Sequence, residues 1–176
     1  MEEFRATFQL SEKDAVDFHI YQAIRTRFAG VLGFALLGLI ICGIYGSAII
    51  ESKVILIGAM AISFTIAGMV TVLGMYFSIL SKVRRARKTD RDADAELTMV
   101  VNGYGVRTEC GEREVRIGFE KIKTVRETAA AFYIYIGKEK AWILPKSAMQ
   151  DVEKESANLR AIFNMVIPSK QLKFMK

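Results

Sequence analysis

Two uncharged apolar runs constrain this chain more than anything else in it. They read FAGVLGFALLGLIICGIYGSAII and VILIGAMAISFTIAGMVTVLGMYFSIL, and only Glu51-Ser52-Lys53 separates them. A helix needs about 20 apolar residues to cross the hydrocarbon core of a bilayer, and both runs exceed that. A three-residue break forces consecutive helices to turn back on each other. The expectation is a transmembrane helical hairpin over residues 28–81, with spans at 28–50 and 54–80. The first run starts too far from Met1, is too long, and is followed too closely by a second one to be a cleaved signal peptide.

Within the first span, Gly38, Cys42 and Gly46 recur every four residues; in the second, Ala59, Ser63, Ala67 and Thr71 do the same. Small residues at this spacing let helix backbones approach closely in lipid, so these two stripes are expected to pack the helices together, an oligomer interface being the alternative. Neither span contains an ionisable side chain. Intramembrane charges usually mark ion and proton paths, which argues against a transporter or pump built from the hairpin alone. The Leu, Ile, Val and Phe residues of the first span favour insertion by about −4 to −7 kcal/mol in sum, ample for an anchor.

The net charge of +6 has a local origin. Lys82, Arg84, Arg85, Arg87 and Lys88 directly follow the second span, and Arg25 and Arg27 precede the first. Basic residues flanking spans stay on the cytoplasmic side, so both termini are expected in the cytoplasm and the Glu51–Lys53 turn outside. The five-residue cluster lies where anionic headgroups sit and is the expected membrane-surface contact; a nucleic-acid partner is not expected. The acidic run that follows (Asp90, Asp92, Asp94, Glu96) starts like a calcium loop. It fails as one, because Ala95 takes the position of the required glycine and Val101 that of the required glutamate. Residues 82–94 therefore read as a solvated linker.

The flanking segments are polar and patterned. Glu3 to Leu10 alternates Phe4, Ala6, Phe8 and Leu10 with polar residues, the period of a half-buried strand. Ser11 and Asp14 form a capping-box pattern, and a helix then runs from Glu12 toward the first span, giving an N-terminal strand and helix over 1–27. Whether that strand joins a later sheet is open from sequence. His19 is the only histidine, and neither it nor the two cysteines, Cys42 and Cys110, has metal-ligand spacing, so no metal, disulfide or cofactor is expected.

From Glu96 onward short alternating segments predict five or six antiparallel strands, with Asn102-Gly103 as a hairpin turn because both residues tolerate positive φ. Ser147 and Gln150 then read as a second capping box. It opens a helix of about 20 residues whose apolar stripe runs Met149, Val152, Ser156, Leu159, Phe163 and Val166 before Pro168 stops it. A meander covered by one helix is an α+β roll, expected over 95–167. The tail 168–176 is basic with interleaved Leu172, Phe174 and Met175, suited to a membrane surface or to disorder.

The opening FQLSEKDAVDFHIY, the two-span layout, and the distal run I-x-F-x-K-I-x-x-V, FYIYI and ILPK resemble the YcxB-like family of bacterial membrane proteins. The distal part is similar to pleckstrin-homology-like domains, a bent antiparallel sheet capped by a C-terminal helix; Phe119 stands where such families suggest tryptophan. The resemblance implies the bacterial cytoplasmic membrane and a multi-pass chain. It implies no catalytic residues.

No nucleophile motif, zinc-binding motif or phosphate loop is present, and Cys110 has no histidine near it in sequence. The chain reads as non-enzymatic: a membrane-anchored cytoplasmic binding or adaptor module that engages a protein partner, a second copy or the bilayer. Two alternatives stand beside it. One is a two-span protein acting through the hairpin itself, of the immunity or transporter-regulator type. The other is a headgroup sensor using Arg107, Arg113, Arg116, Lys121 and Lys123, whose basic charges are mixed with Glu109, Glu112 and Glu114.

Overall fold

The computed structural model describes residues 3–47, 52–90, 94–138 and 140–174, apart from the side chains of 27–29, 31, 32, 34, 35, 42, 45, 47 and 53. It is a mixed α+β structure that divides into two compact units, Met1–Phe18 together with Val83–Lys176, and His19–Lys82.

The first unit is built from two chain segments. Strand β1 (Phe4–Gln9) alternates buried and exposed along its whole length, as its sequence period requires. It pairs antiparallel with β2 (Glu96–Asn102), from Phe4 opposite Val101 to Gln9 opposite Glu96. The question left open by sequence is thus answered: the N-terminal strand belongs to the distal sheet. Strands β3 (Gly105–Cys110) and β4 (Arg113–Gly118) complete a four-stranded sheet in the order β1-β2-β3-β4. A second sheet follows in the order β7-β6-β5-β8, from β5 (Thr124–Glu127), β6 (Ala131–Tyr135), β7 (Ala141–Pro145) and β8 (Leu172–Lys173). All pairs are antiparallel except β5 with β8.

Helix α3 (Val152–Val166) buries Ser156, Leu159, Ile162 and Phe163. Together with Phe4, Ala6 and Phe8 of β1, Met99 and Val101 of β2, and Phe132 and Ile134 of β6, its apolar residues form a single core shared by both sheets. Removing a side chain of that size from water is worth about 1.5–3 kcal/mol, so the three residues of β1 are a substantial part of what holds the unit together.

Four local expectations are corrected. The helix after Pro145 starts at Val152, with Asp151 as its cap: Asp151 Oδ1 accepts the Lys154 N–H at 3.0 Å, and Glu155 Oε1 accepts the N–H groups of Gln150 and Asp151 at 3.1 and 3.3 Å. Ser147 instead lies in a 3-10 turn, Lys146–Ala148, and the helix has 15 residues rather than about 20. The β2–β3 loop is Gly103-Tyr104, with Asn102 Oδ1 accepting the Tyr104 N–H at 3.0 Å. Asn102 and Gly103 do not adopt positive φ; Gly105 and Gly111 do, and a side chain at Gly105 would collide with the Ile117 carbonyl. The basic cluster expected in a linker is helical, because α2 (Lys53–Thr89) meets no breaker before Asp90. In the tail, Ser169–Gln171 form a 3-10 turn and Leu172–Lys173 a strand, with Leu172 and Phe174 packed against the core. The first capping box is present as read, the Asp14 N–H donating to Ser11 Oγ at 3.1 Å and the Ser11 N–H to Asp14 Oδ2 at 3.0 Å.

The second unit consists of the greater part of α1 (Glu12–Ser47) and of α2. Val54–Thr89 is long and apolar enough to cross a membrane, and none of its apolar window is buried. The expected turn at Glu51 lies outside the described residues.

Candidate functional site

Side-chain contacts between segments distant in sequence collect where α1 begins and α2 ends, within the first unit. Glu12 opens α1 and accepts from Arg84 Nε at 3.0 Å. Arg87 donates from Nη1 to the Leu10 carbonyl at 2.8 Å and pairs through Nη2 with Asp94. Gln9 Nε2 donates to the Asp94 carbonyl. One arginine therefore bridges the segment leaving β1 and the segment approaching β2. Val83, one turn before Arg87, is buried at 4% exposure, and Phe18 on α1 at 5%. The Phe18 ring lies 5.2 Å from that of Tyr133 and 6.0 Å from that of Tyr135.

That contact accounts for β6, which is buried at every residue. Phe132 and Ile134 face the core, and Tyr133 and Tyr135 point to the opposite side, where Phe18 covers them. Desolvation by burial is the main reason that the Tyr133 hydroxyl is pushed above its ordinary pKa.

The basic cluster divides along the helix. Arg84 and Arg87 hold the partners just described, Arg84 at the surface and Arg87 mostly buried. Lys82, Arg85 and Lys88, three residues apart on one face, are exposed and have no ion-pair partner among the described residues. His19 is exposed near the base of α1, its pKa lowered by desolvation and by the Lys82 charge.

A buried ionic cluster lies elsewhere in the same unit. Glu127 of β5 has a fully buried side chain. It accepts Arg160 Nε and Nη2 at 2.7 and 2.6 Å and Lys146 Nζ at 2.7 Å. Burial pushes its carboxyl upward, but the hydrogen bonds from Arg160 and Lys146 outweigh that and leave it below the ordinary carboxylate value. Lys146 also lies 5.4 Å over the Phe132 ring. The cluster joins β5, the turn after β7, and α3. It was missed in the sequence, although Val125-x-Glu127 places a carboxylate at an inward position of an alternating strand.

Of the residues expected to pack the spans, Gly46 lies beside α2: a Cβ there would sit 2.6 Å from Leu56 Cδ1, and one at the neighbouring Gly43 would sit 3.3 Å from Met60 Cε. A Cβ at Gly38 would meet nothing within 4 Å. Ala59, Ser63, Ala67 and Thr71 are exposed, with Thr71 Oγ1 donating to the Ala67 carbonyl at 2.8 Å. The side chain of Cys42 lies outside the description. Among the basic residues of the distal unit, Arg107 pairs with Glu109 at 2.9 Å, whereas Arg116, Lys121 and Lys123 are exposed. Among the described residues, no group of His, Cys, Asp and Glu is placed to hold a metal.

Residues 101–160, about a third of the chain, match the YcxB-like protein family. The match begins in β2 and ends in α3, taking in Glu127, Lys146 and Arg160 and leaving out β1 and both long helices. No curated protein and no solved structure matches the chain.

Proposed function

We propose that this chain, YcxB-like over residues 101–160, is a membrane-anchored, non-enzymatic binding module. Residues 19–82 supply two spans, and the β-rich unit is a pleckstrin-homology-like roll held at the cytoplasmic face, where it engages a protein partner. One observation carries this reading: β1 and β2 are hydrogen-bonded neighbours, although α1 and α2 separate them in sequence. A chain that crossed a bilayer once between them would leave the two strands on opposite sides. An even number of crossings is required, so the apolar α2 needs a companion, and α1 is the segment available.

Composition and charge support the same arrangement. Val54, Ile57 and Val70 are 80, 67 and 64% exposed, an apolar surface that water does not favour and lipid does. Arg25, Arg27 and the cluster Lys82–Lys88 bracket the two helices with positive charge, which retains both ends in the cytoplasm. In this arrangement Lys82, Arg85 and Lys88 meet the anionic headgroups at about 1 kcal/mol each, and Arg84 and Arg87 fix the roll to the bases of the helices.

The topology is tested in intact cells with single cysteines at Ser52 and Tyr104, the native cysteines being replaced. A membrane-impermeant thiol reagent should label Ser52→Cys from outside, and Tyr104→Cys only after permeabilisation. Labelling of Tyr104→Cys in intact cells overturns the reading. The binding role is tested by crosslinking from native membranes with two chains, the full-length protein and one in which a flexible linker replaces residues 19–82. Capture of the same partner by both places recognition in the roll, whereas capture by the full-length chain alone transfers it to the helices. A fragment starting at Asp94 is unsuitable, since it lacks Phe4, Ala6 and Phe8 of the core.

A further inference from the structure

Strand β4 ends the first sheet and, among the described residues, is bonded to β3 alone. The loop joining them is Gly111-Glu112, which makes Cys110 and Arg113 the hydrogen-bonded pair that closes the hairpin. Alternation from that pair directs the main-chain N–H and C=O groups of Glu114 and Arg116 away from β3, to the free edge. Residues 113–116 are exposed. Their register with β3 sets like charges side by side, Arg107 opposite Arg116 and Glu109 opposite Glu114, an arrangement that disfavours the pairing. Arg107 is compensated by Glu109 at 2.9 Å and, more distantly, by Glu114 at 3.8 Å. Arg116 has no ion-pair partner among the described residues.

We propose that β4 is the strand through which two copies of this chain join, antiparallel and edge to edge, about a two-fold axis at Val115. In that register Val115 opposes Val115 of the second copy, and Glu114 of each copy opposes Arg116 of the other. The outward main-chain groups of Glu114 and Arg116 then form the hydrogen-bonded pairs, and Val115 forms the close non-hydrogen-bonded pair between them. Each Arg116 gains a carboxylate that its own chain does not provide, and two four-stranded sheets become one of eight strands. The contact is isologous and closed, so it stops at two copies.

Charged residues on an edge strand ordinarily deter pairing. Here the run Glu114-Val115-Arg116 is its own antiparallel complement, so the deterrent acts on other strands and on other registers. Sliding by two residues would set Glu114 against Glu114, or Arg116 against Arg116. The inference is independent of the proposed membrane topology, because it uses only residues of the first unit.

The test uses the full-length chain in native membranes, with Cys42→Ala and Cys110→Ala as background. Under mild oxidation Val115→Cys should give a covalent dimer at a yield at least tenfold above that of Tyr104→Cys, which is more exposed but lies off the axis. Arg116→Glu should reduce the Val115→Cys dimer at least fivefold, and adding Glu114→Arg to that chain should restore it, since the swapped pair is again complementary. Equal yields at Val115 and Tyr104, or a yield indifferent to charge reversal, would overturn the proposal. All four positions are exposed, and unchanged thermal unfolding of each variant in detergent verifies that folding is not what the crosslink reads. Sedimentation of the wild-type protein in detergent gives an independent reading: a dimer is expected, dissociating in Arg116→Glu, and a monomer at every concentration would refute it.

Discussion

Arg87 donates a hydrogen bond to the carbonyl of Leu10, 77 positions earlier in the chain, at 2.8 Å. The same guanidinium reaches Asp94, so the last turn of α2 is tied to both strands whose pairing closes the first sheet. A basic residue at the end of a long apolar helix is easily taken for a headgroup contact. This one is mostly buried by the protein itself.

The two classes of basic residue should therefore separate by mutation. Arg87→Ala is expected to lower stability by about 1–2 kcal/mol, the worth of a charged hydrogen bond to main chain plus a partly exposed ion pair. Arg85→Ala should change it by less than about 0.5 kcal/mol while weakening association with vesicles that contain anionic lipid. Thermal unfolding in detergent and vesicle partition measure the two effects. An equal stability loss in both variants would contradict the assignment.

Glu127 should make the unit sensitive to acid. Its folded pKa lies below the unfolded value, so its stabilisation is present above the ordinary carboxylate range and is lost as pH falls through the lower folded value. Glu127→Gln breaks the cluster and leaves Lys146 and Arg160 uncompensated, at a cost of about 3 kcal/mol near neutral pH. The gap between wild type and variant should narrow on acidification below pH about 4. Denaturant titrations at several pH values measure it, and a gap independent of pH would count against the carboxylate's role.

The helix pair offers a contrast between two glycines of one stripe. Gly46→Val places atoms against Leu56, whose terminal methyl must move, and should cost about 1 kcal/mol. Gly38→Leu enters open space and should cost no more than about 0.5 kcal/mol. Thermal unfolding in detergent distinguishes them, and a larger loss at Gly38 would move the contact along the helix.

What was legible in the sequence was what repeats. The period of two in Phe4, Ala6 and Phe8 and in Leu97, Met99 and Val101 marked strands, and the long uncharged run after Lys53 marked a helix of membrane length. Features that depend on a neighbour distant in sequence were not legible. Nothing near Arg87 announces Leu10 as its partner, and nothing near Glu127 announces Arg160. Ser147 has the same capping chemistry as Asp151, and the choice between them is made by the 3-10 turn that Lys146–Ala148 forms as the chain leaves β7. Leu172 looked like part of a loose basic tail because a strand of two residues has no period to detect; its pairing with Val125 is what orders it.

The interrupted sheet also sets a timetable. Strand β1 is synthesised before both long helices and its partner β2 only after them. At 5–20 residues per second that interval is roughly 5–18 s, during which Phe4, Ala6 and Phe8 have no core to enter. In the topology proposed above, the roll would close only after the intervening helices had settled with both ends on one side, so completion of the sheet would report that insertion had succeeded. In that topology, a chain whose helices failed to settle would keep Phe4, Ala6 and Phe8 exposed, the kind of signal by which quality-control proteases tell an unfinished chain from a finished one.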